Sequence, residues 1–156
     1  MSEEKDLRNS LLVQRKNGYD VVSRDEAITA SNYATGYKKF LDEGKTERSS
    51  VAAAKALAEA AGYVPYVRGM TLAPGSKVYT IHRDKAILLA HIGNKPLEEG
   101  ALFAAAHVDS PRLDLKPSPL YEDEEMVFFK THYYGGIRKY QWVTVPLALH
   151  GVVVKK

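Results

Sequence analysis

Apolar residues recur along this chain with two different periods. Between about residues 25 and 63 the spacing is helical, and from about 76 onward it is that of strands and turns. From Asp25 to Glu43, Ala27, Ile28, Tyr33, Tyr37, Phe40 and Leu41 fall mostly three or four apart, which marks one face of an amphipathic helix. Gly44 follows as the expected left-handed cap. Thr46 is placed to cap a second helix, with Glu47 in the first turn, where the helix dipole favours an acid. The body of that helix, from Val51 to Ala61, is rich in alanine, the best helix former, and its small side chains permit close packing. Gly62 ends it, and Pro65 and Gly69 mark a loop.

The second half predicts strands. Residues 77–82 (KVYTIH) and 86–92 (AILLAHI) flank a polar turn of Arg83, Asp84 and Lys85, which predicts a hairpin. Residues 101–107 (ALFAAAH) form an unbroken apolar run after a turn at Glu98–Gly100, the pattern of a strand buried on both faces. After Pro111 the chain is rich in proline and tyrosine, then strand-like again at 126–133 and 141–154. Val152, Val153 and Val154 are good strand residues with no turn signal after them, and this predicts a truncated β-rich domain. There is no internal repeat.

Composition narrows the class. With 45% apolar and 26% charged residues in 156, the chain is neither a disordered tail nor low-complexity, and 11 glycines and 7 prolines exclude a collagen-like repeat. The absence of cysteine removes disulfides, thiolate nucleophiles and Cys-ligated zinc. The first twenty residues hold no apolar core of signal-peptide length, and no apolar stretch reaches the ~18 residues of a membrane span, so a cytoplasmic protein without membrane partners is expected. A pI near 9.0 invites a nucleic-acid reading. However, the net charge is only +3, the signs alternate, and the densest charged run, Glu122 to Glu125, is acidic, so no nucleic-acid partner is expected.

Of the five histidines, His107 stands out. It closes the run 101–107 and opens His107-Val108-Asp109-Ser110-Pro111. Residues two apart on an extended chain share a face, so His107 and Asp109 can point into one cavity at the strand's carboxyl end, the edge where open α/β sheets bind ligands. Pro111 lacks an N–H and helps release the chain from the sheet. Chemically, an imidazole can bind a metal through one nitrogen while a carboxylate accepts a hydrogen bond from the other, fixing the tautomer. A carboxylate there can also bind metal directly or orient a catalytic group. Spacing alone does not single the pair out, because His82-Arg83-Asp84 repeats it in the expected hairpin turn. That triplet also mimics a kinase catalytic loop, but Lys85 and Leu89 stand where such a loop needs leucine and asparagine. Residues 131–142 (THYYGGIRKYQW) read either as an aromatic binding platform or as a sheet bent at Gly135-Gly136. No phosphate-binding glycine motif and no Gly-x-Ser-x-Gly elbow occurs.

Taken together, HVDSPRLDLKPSPLYEDEE (107–125) and KTHYYGGIRKYQWVTVPLALHGVVVKK (130–156) resemble the aspartyl aminopeptidase family of zinc metallopeptidases, in its bacterial branch. KKFLDEGKTER (38–48), the alanine-rich helix, PGSKVY (74–79) and PLEEG (96–100) are similar to the same family, so the resemblance covers about residues 33–156. It implies a cytoplasmic exopeptidase that removes N-terminal, acidic residues from peptide substrates with a pair of divalent metal ions, usually zinc. It also implies a large homo-oligomer, dodecamer-like, and an α/β catalytic domain interrupted by a β-rich inserted domain. On this sequence His107 matches a metal-ligand histidine and Asp109 the neighbouring aspartate that supports the site. His132 and Gly135-Gly136 match a recurrent motif without an assigned role.

Family members are much longer, and their remaining ligands and glutamate general base match nothing here. The fold expected is therefore α/β: the N-terminal segment of a metallo-aminopeptidase catalytic domain over 1–112, then the start of the inserted oligomerisation domain over 113–156. As such a fragment the chain is expected to be inactive alone. The alternative is a non-catalytic α/β module that oligomerises or docks onto a partner chain through unpaired strands.

Overall fold

The structure, a computed structural model, describes residues 2–13 and 15–156, and for residues 2–6 the backbone alone. It comprises two compact units, residues 1–39 and 40–156. No helix among the described residues is long and apolar enough to cross a membrane.

The first unit holds α1 (Ser2–Leu11), a single 3-10 turn at Gly18–Asp20, and most of α2 (Arg24–Glu43). The sequence pattern does not anticipate α1, but it places α2 within a residue. The start of α2 is fixed by a reciprocal capping box. Ser23 Oγ accepts from the Glu26 N–H at 3.2 Å, and the Glu26 carboxylate accepts from the Ser23 N–H at 2.7 Å and from its hydroxyl at 2.8 Å. These bonds hold the Glu26 carboxyl below its ordinary pKa, the backbone N–H of Ser23 contributing most.

In the second unit, α3 (Glu47–Ala60) begins where its capping residues predict. Thr46 Oγ1 accepts from the Ser49 N–H at 3.2 Å, and Ser49 Oγ accepts from the Thr46 N–H at 2.8 Å. Gly62, at φ +85°, turns the chain out of the helix. A three-stranded sheet follows, in which β1 (Val64–Pro65) pairs parallel with β2 (Lys77–His82), and β2 pairs antiparallel with β3 (Ala86–His91) from Lys77↔His91 to His82↔Ala86. The connecting turn has Arg83 and Asp84 both at positive φ, 52° and 56°, the sense that matches the twist of a hairpin. The small core of this unit is Val51, Ala53 and Ala58 of α3 against Val78 and Tyr79 of β2, with Ser50 buried beside them. The Tyr79 hydroxyl donates to Glu59 Oε1 at 2.7 Å, which ties strand to helix and raises the Tyr79 pKa.

Gly44 corrects one expectation, because its φ is not positive. It is glycine for want of room: a Cβ there would lie 2.9 Å from Ser50 Oγ and 3.1 Å from the Phe40 carbonyl oxygen.

A second sheet is formed by β4 (Arg112–Asp123) and β5 (Met126–Tyr134), antiparallel from Arg112↔Tyr134 to Asp123↔Met126 with a register shift between Leu115 and Leu120. The shift coincides with Pro117 and Pro119, which have no N–H to give to a ladder, and with Ser118 at φ 53°. The sequence predicts β5 but not β4, and the result is a hairpin.

Two strand expectations are overturned. Residues 101–107 form no strand, with Leu102 fully exposed and Phe103 86% exposed. Residues 141–154 are no strand either: Lys139–Trp142 is a short helix, α4, and 143–156 has no regular structure. The cause is the same in both. A strand exists only when a neighbour takes up its N–H and C=O groups, and among the described residues nothing pairs with these segments.

Candidate metal site

His107 and Asp109 lie on the tail that joins the exposed run 101–107 to β4. Nδ1 of His107 meets Oδ1 of Asp109, so the two side chains come together, as the spacing predicts. The other carboxylate oxygen, Oδ2, accepts from the Tyr134 hydroxyl at 2.9 Å. Tyr134 is the last residue of β5 and the register partner of Arg112, the first of β4. The Arg112 guanidinium lies 4.1 Å from the centre of the Tyr134 ring. It donates to Asp114 Oδ1 at 2.7 Å, to the Ser110 carbonyl at 3.2 Å and to Glu47 Oε1 at 3.1 Å.

These contacts set the electrostatics. Asp109 is held below the usual aspartate pKa, first by the Tyr134 hydroxyl, then by His107 and the Arg112 charge, against a partial desolvation that opposes them. Tyr134 is raised, because its proton is shared with that carboxylate. Arg112 is raised chiefly by its bond to Asp114. The side chain of His107 is 86% exposed and that of Asp109 only 22%. The orienting carboxylate is therefore tucked in, and the imidazole projects outward.

The other candidates fall elsewhere. His82 ends β2 and Asp84 lies in the β2–β3 turn, where it pairs with Arg48 at 3.4 Å, a solvated loop arrangement. His132 stacks on Tyr133 at 5.2 Å and does not join the His107 cluster. Spacing alone does not find Tyr134 and Arg112. Tyr134 falls in the aromatic stretch THYYGGIRKYQW (131–142) and Arg112 in HVDSPRLDLKPSPLYEDEE (107–125), but neither pattern places them beside Asp109.

A family model described as "Aminopeptidase I zinc metalloprotease (M18)" matches residues 40–156. The chain belongs to this family. The "Probable M18 family aminopeptidase 1" of Clostridium acetobutylicum is 46% identical over 156 residues, covering 96% of this chain and 33% of that protein. Its namesake from Borreliella burgdorferi is 41% identical over 144 residues, covering 92% of this chain and 31% of that protein. The crystal structure of aminopeptidase I from Borrelia burgdorferi superposes with a TM-score of 0.75 at 41% identity, over 84% of this chain and 32% of the other. That from Clostridium acetobutylicum gives 0.72 at 40% identity, over 94% and 33%. The mixed α/β architecture is thus that of part of an M18 aminopeptidase, and the chain spans about a third of the length of the curated relatives it matches.

M18 proteins are zinc metalloproteases by the family's own description, so zinc is the ion to test against these side chains. The donor chemistry of His107 fits. With Nδ1–H given to Asp109, the Nε2 lone pair is the ring's remaining donor, and imidazole nitrogen is a good zinc ligand. Both oxygens of Asp109 already accept contacts, which suits a supporting group more than a direct ligand. Among the described residues no group of three or more His, Cys, Asp or Glu could hold a metal ion, so His107 fits as one ligand of a site, not as the whole of it.

Proposed function

We propose that this chain is the N-terminal part of a zinc aminopeptidase that releases N-terminal, acidic residues from peptides. The observation that carries the reading is the His107–Asp109 contact in an M18 chain, with one ring nitrogen engaged and the other exposed. His107 serves as one ligand of a metal pair through Nε2. Asp109 holds its tautomer and orientation. When bound, zinc supplies Lewis-acid chemistry for attack on the first peptide carbonyl. The remaining ligands, and the glutamate that carries the proton to the leaving amine, belong to the two thirds of the relatives' length that this chain does not span. Residues 1–112 are the first segment of the catalytic domain, and 113–156 begin the inserted β-rich domain. The separate β4–β5 sheet supports that division. The complete protein is a cytoplasmic homo-oligomer, as the family resemblance implies.

The test is an assay of aspartyl, glutamyl and leucyl chromogenic substrates. The chain alone, supplied with zinc, is expected to turn over none of them. Joined to the complementary part of the Clostridium acetobutylicum relative, it is expected to hydrolyse the acidic substrates fastest. Turnover by the chain alone would overturn the divided site, and a leucyl preference would overturn the acidic specificity.

A second reading is favoured by the exposed run 101–107: the chain acts as a non-catalytic module that docks onto a partner by strand pairing.

A further inference from the structure

Tyr134 belongs to the THYYGG stretch, whose recurrence in the resemblance has no assigned role. Its neighbour Tyr133 points to the opposite face of the strand, where Lys139 lies 4.1 Å from its ring. Tyr134 instead faces Asp109. Two features bring it there. Gly135, at φ +74°, turns the chain in a sense that disfavours any side chain, and a Cβ at that position would lie 3.4 Å from Pro111 Cα. The end of β5 is therefore folded against the tail that carries Asp109. Second, Arg112 covers the Tyr134 ring and is itself pinned by Asp114 of β4, Ser110 of the tail and Glu47 in the first turn of α3. A guanidinium with its donors directed to three partners is a rigid plate, and the ring beneath it has little freedom.

We propose that Tyr134, clamped by Arg112, is a positioning residue that locks the Asp109 carboxylate and, through it, the His107 tautomer that leaves Nε2 free. An aspartate touched by one imidazole alone can rotate about its terminal torsion, and the imidazole can then flip or exchange tautomers. Here the Tyr134 hydroxyl holds Oδ2, so Oδ1 is presented to His107 in one orientation. An ionised carboxylate only accepts, so the ring must donate from Nδ1, and the lone pair falls on Nε2. The inference rests on the reading of His107 as a metal donor for its purpose, but the tautomer itself is a property of the metal-free chain.

The test is nitrogen-15 NMR of the five histidines in the full chain at mildly alkaline pH. In the unaltered chain His107 is expected to show two widely separated ring-nitrogen resonances, with Nδ1 protonated. In Tyr134→Phe these two are expected to move towards each other as the tautomers mix, while the other four histidines stay put. A separation that persists in Tyr134→Phe, or a His107 that is already averaged in the unaltered chain, overturns the proposal. Should Tyr134→Phe shift all five histidines, Arg112→Lys decides. It leaves both groups hydrogen-bonded to Asp109 and removes the plate over the ring, together with the guanidinium's bonds to Asp114, Ser110 and Glu47. A smaller convergence at His107 alone supports the clamp, and none overturns it. Adding zinc to the chain joined to the complementary part of the Clostridium acetobutylicum relative then separates the two readings: if His107 responds to Tyr134→Phe but no His107 resonance of the joined protein responds to zinc, the clamp stands and the metal reading fails.

Discussion

Asp109 is where residue-scale chemistry can be checked most simply. Its folded pKa lies below the ordinary aspartate value, chiefly because Tyr134 donates to it. A depressed folded pKa stabilises the folded contact above the unfolded aspartate's pKa, and that contribution is lost as the pH falls through the folded value. The tail–hairpin contact is therefore expected to loosen only in acid below the usual aspartate range. The Asp109 carboxyl carbon shift should titrate there, and in Tyr134→Phe its midpoint should rise. An unchanged midpoint would remove Tyr134 from the account. The pairing of His107 with Asp109 was legible from two-residue spacing, because an extended backbone repeats every second residue. Tyr134 and Arg112 were not, because strand register and a glycine turn bring them to Asp109 from 25 and 3 positions away (134 − 109 and 112 − 109). Gly44 teaches the same point. Its identity was expected from backbone conformation and is explained by a close approach. Gly44→Ala is expected to cost about 1–3 kcal/mol through overpacking against Ser50 and Phe40, measured by denaturant unfolding.

At the scale of elements, local signals were read well. Helices α2 and α3 and the β2–β3 hairpin are set by period, caps and turn residues within a few positions of each other. Thr46→Ala removes an N-cap oxygen from α3 and is expected to cost about 1 kcal/mol, while Thr46→Ser should be nearly silent. Equal loss from both would show that the cap is not what holds the helix start. Strand β4 was hidden because Pro117 and Pro119 argue against a ladder, yet a two-stranded sheet has only edges and absorbs them as an irregularity. The run 101–107 was misread for the opposite reason. Its composition suits a central strand, but a central strand needs neighbours on both sides, and composition cannot say whether they are there.

The whole molecule shows the consequence in its surface: the large apolar side chains Leu102 and Phe103 of the 101–107 run, and Val152, Val153 and Val154, are all exposed. On its own the chain is expected to bind a hydrophobic dye and to unfold with a shallow denaturant slope, and both should normalise when the complementary part of an M18 relative is supplied. A sharp, dye-free unfolding transition of the isolated chain would favour the stand-alone module. At the site one oriented imidazole fits zinc, and among the described residues no group of three or more His, Cys, Asp or Glu could hold the ion.

We propose that this chain contributes His107 as a ligand to a zinc site completed by other sequence. The direct measurement is the zinc dissociation constant, by chelator competition, of the chain joined to the rest of the Clostridium acetobutylicum relative, with and without His107→Ala. The unaltered protein is expected to hold zinc and His107→Ala to weaken it by at least about 100-fold, the upper range for losing even a residue that only orients a ligand. Equal affinity in the two would contradict it.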